Sequence, residues 1–340
     1  MFPRLAALLW NGRTRRPRLP WRFVLALVVL AVVTVSVETL TRALLPVPIE
    51  SVLALVTPGF PRERVVSALR ATVLVVGSAG VTVASTYLAG RFVDRRWFRD
   101  FGFDVDRSWW ADLGAGLALG ALLMTGVFLL ELAAGWVVVT DTLRIDQPGF
   151  TFWPWFGWSL VIYVAVGVSE ELLFRGYLLT NLAEGLTWFD RVGPTAAVGL
   201  STLASSLLFG WAHAGNPSAS AASTAGVMLG AVMLAAGYVL TGRLALPIGL
   251  HVTWNFVQGT VYGFPVSGTT HGLSVLATDQ SGPRLLTGGA FGPEAGVIGA
   301  IAALVGTGLI VVWVRWREGR ARIDPSVAVP ALRPADADAE

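Results

Sequence analysis

The stretch Val168-Ser169-Glu170-Glu171-Leu172-Leu173-Phe174-Arg175-Gly176 puts three ionisable side chains into the second half of an apolar run that reads as one helix over 155–180. A charged group at mid-bilayer depth costs from about 2.5 to well over 10 kcal/mol, so its presence there points to a task. On a helix Glu171 and Arg175 stand at i and i+4 and share a face, where carboxylate and guanidinium neutralise one another. Glu170 is turned about 100° away from Glu171. The two carboxylates therefore have different jobs. The alternative is that both belong, with Arg175, to a structural ion-pair network at a helix end.

The rest of the chain supplies a membrane setting. Of 340 residues, 54% are hydrophobic and 14% charged, against about 25% charged in an ordinary soluble domain. Cys is absent, which removes disulfides, thiolate metal sites and a cysteine nucleophile together. Every basic side chain is Arg, so no Lys base or Schiff base is available, and the composition fits a GC-rich, bacterial source. The net charge of +3 does not indicate nucleic acid, because the Arg residues cluster beside apolar runs as a topology signal.

Spanning a bilayer takes about 20 apolar residues, and eight segments supply them: 23–45, 71–90, 113–140, 155–180, 195–213, 222–241, 244–262 and 295–314. The segment 195–213 is the weakest, since it carries Ser201, Thr202, Ser205 and Ser206. With residues 1–22 inside as a basic tail and the first helix retained, one side holds the arginines of 1–22, 91–112 and 315–333 plus Arg191 and Arg243. The other holds Arg42, Arg62, Arg64, Arg70, Arg144 and Arg284. That asymmetry predicts a multi-pass cell-membrane protein with cytoplasmic termini. The expected organisation is supporting helices over 23–153, a core carrying the chemistry over 154–262, an outer loop and last helix over 263–315, and a disordered tail over 316–340.

Further polar residues sit where lipid should exclude them. Phe209-Gly210-Trp211-Ala212-His213 closes the fifth span, where a lone His is commonly an interface residue. His251 and Asn255, at i and i+4 on the seventh, can stabilise an oxyanion, bind a metal, or simply hydrogen-bond between helices. His271 lies in a polar loop and is expected to be solvent-exposed without a catalytic role. A Gly-x-Ser-x-Gly elbow, a Ser-x-x-Lys pair and a His-Glu-x-x-His motif are all missing.

Glu170-Glu171-x-x-x-Arg175, Phe209-x-x-x-His213 and His251-x-x-x-Asn255, in that order on successive helices, resemble the CAAX-protease and bacteriocin-processing (CPBP, or Abi) family of intramembrane endopeptidases, which includes the type II CAAX prenyl endopeptidases. The resemblance covers about 155–262. It implies an all-helical bundle around a polar cavity open toward the cytoplasm, with cleavage near that membrane face. It further implies that Glu170 and His213 activate a water while His251 and Asn255 stabilise the oxyanion, with Glu171, Arg175 and Phe209 in support. Family members have been read both as zinc enzymes, for which Glu170, His213 and His251 would be the ligands, and as metal-independent glutamate proteases. No other cofactor is implied, and the partners are a peptide or membrane-protein substrate and the bilayer. A bacteriocin leader, signal fragment or regulatory peptide fits a bacterial chain better than a prenylated one. The competing classes are a proton-coupled transporter using the same ionisable groups and a non-proteolytic binding or immunity protein on the same scaffold.

Overall fold

The computed structural model describes residues 9–12, 14–44, 62–146 and 151–334. Its helices are α1 (Leu19–Leu44), α2 (Arg62–Leu88), α3 (Arg107–Ala133), α4 (Phe152–Glu171), α5 (Thr180–Leu186), α6 (Pro194–Ala212), α7 (Ala221–Thr241), α8 (Ala245–Phe256), the single-turn α9 (Arg284–Thr287) and α10 (Val297–Glu318). A π-helical stretch, Leu172–Leu179, joins α4 to α5 in one rod, and another, Val257–Val261, extends α8. The chain is thus a polytopic helical bundle. Among the described residues, six helices are long and apolar enough to cross a bilayer.

Two of the eight expected spans stand outside those six. The segment 71–90 forms the C-terminal part of α2 and the start of the π-helical stretch Ala89–Val93 that follows it. The segment 244–262 forms α8 and its π turn, and nine of the twelve α8 residues are buried. It is a core helix enclosed by the others. This explains its apolar composition without lipid contact. Lipid-type surface lies elsewhere, for example Leu27, Val28, Val32 and Val35 on α1 and Leu122, Leu129 and Leu130 on α3.

The expected third span also runs too far. Helix α3 stops at Ala133, and the β-branched run Val137–Ile145 becomes a strand, β3, paired antiparallel with β4 (Leu273–Gln280), in what reads from sequence as loop. Strands β1 (Trp10–Asn11) and β2 (Arg16–Pro17) form a short hairpin before α1. The segment taken as a disordered tail is ordered through residue 334. Asp324 donates its backbone N–H to Val239, Val327 and Ala328 are buried, and Arg333 donates to the Arg95 carbonyl. The last six residues lie outside the described ones.

The bundle has two chemically different ends. At one, Glu184 accepts from Arg16, from Arg22 at 2.9 Å and from Arg96 at 2.7 Å, while Arg22 also reaches Asp94 at 3.2 Å. Arg243 bridges Asp112 at 2.7 Å and Glu318 at 2.6 Å. The opposite end is built from residues 134–146, 213–220 and 262–296, tied together by β3 and β4 and by Asn216 donating to the Ser267 carbonyl at 3.0 Å.

Helix α8 is positioned by close backbone approach. It runs parallel to α3, where a Cβ on Gly116 would lie 2.2 Å from the Leu246 carbonyl oxygen and one on Gly120 would lie 2.4 Å from that of Leu250. Helix α4 passes antiparallel on the other side, with Gly167 against Val252 and Ser159 bonded to Thr260 at 3.1 Å. Gly120→Ala should therefore cost about 1–3 kcal/mol through overpacking, while Gly114→Ala, with open space around it, should be neutral or slightly stabilising. Thermal unfolding of the two variants in detergent micelles checks this, and equal melting temperatures would contradict it.

Candidate active site

Packing α4 against α8 brings Glu171 to His251. Glu171 is fully buried and its Oε1 accepts from Arg175 Nη1 at 2.8 Å and from His251 Nδ1 at 2.8 Å. An ionised carboxylate only accepts, so His251 carries its proton on Nδ1 and presents Nε2 elsewhere. Arg175, also fully buried, donates its second terminal nitrogen to the Ala231 carbonyl at 3.1 Å, and its guanidinium lies 4.5 Å from the Phe209 ring centroid. The expected i, i+4 pair is present. Its bond to His251, 80 residues away, has no local signature in the sequence.

Glu170 takes the other direction, as the helical rotation predicts. Its side chain is 29% exposed, and its Oε2 lies 3.9 Å from His251 Nε2, too far for a hydrogen bond. That oxygen is without any hydrogen-bond partner among the described residues. His213, one residue past α6, places Nδ1 2.8 Å from the Phe209 carbonyl oxygen. A carbonyl only accepts, so Nδ1 again carries the proton and Nε2 keeps its lone pair. Phe209 lies between the two imidazoles, with ring centroids 4.6 Å from His213 and 6.1 Å from His251. Asn255 stands one turn beyond His251 on α8.

Glu170, His213, His251 and Asn255 all line one cavity of about 310 Å³. Residues 152–257 match the family model described as Rce1-like, type II CAAX prenyl endopeptidase. The match covers about a third of the chain, and over that stretch the chain is similar to this family. The stretch starts at the first residue of α4 and ends just past α8, so it contains all four residues together with Glu171, Arg175 and Phe209. No curated protein and no solved structure matches the chain.

Among the described residues no three His, Cys, Asp or Glu side chains are grouped closely enough to hold a metal, while Glu170, His213 and His251 line the same cavity. The cavity is lined from the half of the bundle farther from the arginine-rich end. Besides the four residues it reaches Asn216, Ser267, Thr269 and Glu294, all in segments of the opposite end. Cytoplasmic termini and a cavity open toward the cytoplasm therefore do not hold together.

Several lining residues carry no motif that sequence reading could have used. Tyr163 and Trp254 look like ordinary core aromatics, and Glu294 lies beyond the matched segment in a glycine-rich connection. His271 is exposed as expected, yet it also edges the cavity, 5.5 Å from the Tyr163 ring. The lining holds two carboxylates and three imidazoles and no arginine.

Two predictions follow from these geometries. Glu171→Gln leaves the Arg175 charge uncompensated in the core and should cost about 3–5 kcal/mol, whereas Glu170→Gln, which breaks no hydrogen bond, should stay within about 0.5 kcal/mol of wild type. Chemical or thermal unfolding in micelles separates the two, and equal losses would contradict the division of labour. Glu294 accepts from Gln258 Nε2 at 2.7 Å and the Ser267 N–H at 3.1 Å, but burial pushes its carboxyl up to about 7. Because the unfolded group ionises lower, its contribution is fully present at about pH 4 and is lost as pH rises through about 7. Glu294→Gln should thus flatten the fall in melting temperature between pH 5 and pH 8, and an unchanged profile would count against it.

Proposed function

We propose that the chain is an intramembrane endopeptidase in which Glu170 activates the attacking water. The observation that carries this reading is the contrast between adjacent carboxylates: Glu171 is fully buried with Oε1 held by both Arg175 and His251, while Glu170 is partly exposed, lines the cavity and has no ion pair within hydrogen-bonding distance. A general base needs an acceptor free to take a proton beside a site where substrate can sit.

In this reading Glu170 takes a proton from water, and the resulting hydroxide adds to the carbonyl carbon of the scissile peptide bond. The His213 Nε2 lone pair accepts the water's second O–H and fixes its orientation. The tetrahedral oxyanion receives hydrogen bonds from the Asn255 carboxamide and from His251 as imidazolium through Nε2–H. Collapse breaks the C–N bond, and the proton held by Glu170 passes to the departing amine. Glu171 and Arg175 touch none of the reacting atoms; they fix the His251 ring. Each step uses the chain's own side chains.

Comparing the peptide termini of membrane proteins from cells expressing wild type or Glu170→Gln provides the test. New termini that need Glu170 are expected, with cleavage falling at least about 100-fold in the variant. Asn255→Ala should lose about 100- to 1000-fold, comparable to removal of one oxyanion donor. Cleavage should persist in the presence of a metal chelator. Wild-type cleavage by Glu170→Gln would overturn the reading, and loss of cleavage on chelation would replace its metal-free form with a metal-assisted one.

A further inference from the structure

Helix directions in the bundle are fixed by contacts rather than by hydropathy. Gly102 meets Leu244 and Tyr238, Trp313 donates to Asp112 at 2.9 Å, and Leu332 pairs with Arg96, so the C-terminal end of α7, the N-terminal ends of α3 and α8 and the C-terminal end of α10 share one end of the molecule. That end carries Arg16, Arg22, Arg96, Arg243, Arg315 and Arg333. At the opposite end the described connections hold Arg144 and Arg284, with Arg62, Arg64 and Arg70 in the first turns of α2. Short arginine-rich connections stay on the cytoplasmic side.

Depth along the helices places the cavity. Arg175 bonds Ala231, the middle of α7, and Gly120, the middle of α3, packs at Leu250 beside His251. The ion pair therefore sits near the bilayer centre. From there the lining residues run only one way. They pass Tyr163 and Val166 on α4, His213 beyond α6, Gly226 and Val227 on α7 and Asn255 on α8, and end at Ser267, Thr269 and Glu294. None comes from the arginine-rich connections.

We infer that the cavity admits its substrate from the extracytoplasmic side, so that the peptide cut is a segment already translocated across or anchored outside the membrane. This rests on the proposed peptidase reading for the chemistry but not for the sidedness. Among the described residues the lining offers the carboxylates of Glu170 and Glu294 and no arginine, so an amine or guanidinium on an internal segment finds an acidic partner there.

Because the chain is free of cysteine, single cysteines report sidedness without background. Thr270→Cys and Asp279→Cys lie on exposed positions at the cavity end, and Asp190→Cys and Ser326→Cys on exposed positions at the arginine-rich end. None touches the proposed machinery. With a membrane-impermeant maleimide on intact bacterial cells expressing the full chain, the first pair should label at once and the second only after permeabilisation. Labelling in the reverse order, or of all four in intact cells, would overturn the inference. Detergent-solubilised protein, in which all four should label, confirms that each thiol is reachable. The termini comparison supplies the second arm: Glu170-dependent cuts are expected in extracytoplasmic segments, and cuts confined to cytoplasmic segments would overturn sidedness while leaving the peptidase reading intact. Absence of any Glu170-dependent cut would instead sink the peptidase reading and leave the labelling result standing.

Discussion

Glu171 holds the centre of the molecule by accepting from two partners on two rods, Arg175 one turn along its own and His251 on α8. Burying three ionisable groups at mid-bilayer depth is costly, and mutual attraction offsets it only when the geometry is good and the remaining donors are filled. Arg175 meets that condition in part, by reaching the Ala231 carbonyl and lying over the Phe209 ring while its Nε has no hydrogen-bond partner among the described residues, and α6 and α7 are thereby drawn onto the same ion pair. Four elements thus converge on one carboxylate. The consequence for chemistry is indirect: with Nδ1 of His251 committed to Glu171, only Nε2 is left to address the cavity.

Under the proposed chemistry this arrangement gives the two adjacent glutamates separate tasks. A single carboxylate asked both to neutralise Arg175 and to move protons would leave a buried guanidinium uncompensated whenever it was protonated. Dividing the tasks between neighbours lets the 100° helical offset send one side chain into the core and the other to the cavity. The π-helical stretch begins immediately after Glu171 and retains the Glu171–Arg175 contact while re-aiming the residues that follow. Such stretches are frequent at functional sites because the extra residue per turn changes side-chain direction without breaking the rod.

The sequence was informative where lipid imposes its penalty. Charged and imidazole side chains inside apolar runs stand out against the hydrocarbon, and these identified Glu170, Glu171, Arg175, His213 and His251, which the structure gathers around one cavity and its base. Element boundaries were less legible. Val137–Thr140 is as apolar as a helix end and becomes strand only because β4, more than 130 residues later, pairs with it. Helix α8 reads as a span because burial in protein and burial in lipid select the same residues. Glu294 was invisible for a different reason: an acid in a polar connection is unremarkable until the fold buries it beside Gln258 and Ser267.

The ordered C-terminal segment and the N-terminal hairpin share a physical role that also bears on the cavity. Arg16, Arg22 and Arg96 meet at Glu184, the last turn of the rod that began with α4, and Arg333 lies over Trp97. These contacts close the arginine-rich end with interlocked charge and aromatic surface. Water reaching Glu170 from that end would have to pass the buried Arg175–Glu171 pair and the apolar layer of Leu172, Leu179 and Tyr238, all nearly inaccessible. From the other end it meets the hydroxyls, amides and carboxylates of Ser267, Thr269, Asn216 and Glu294. The distribution of polar side chains along the bundle thus gives the cavity one polar approach and one sealed one, with the polar approach on the side away from the arginines.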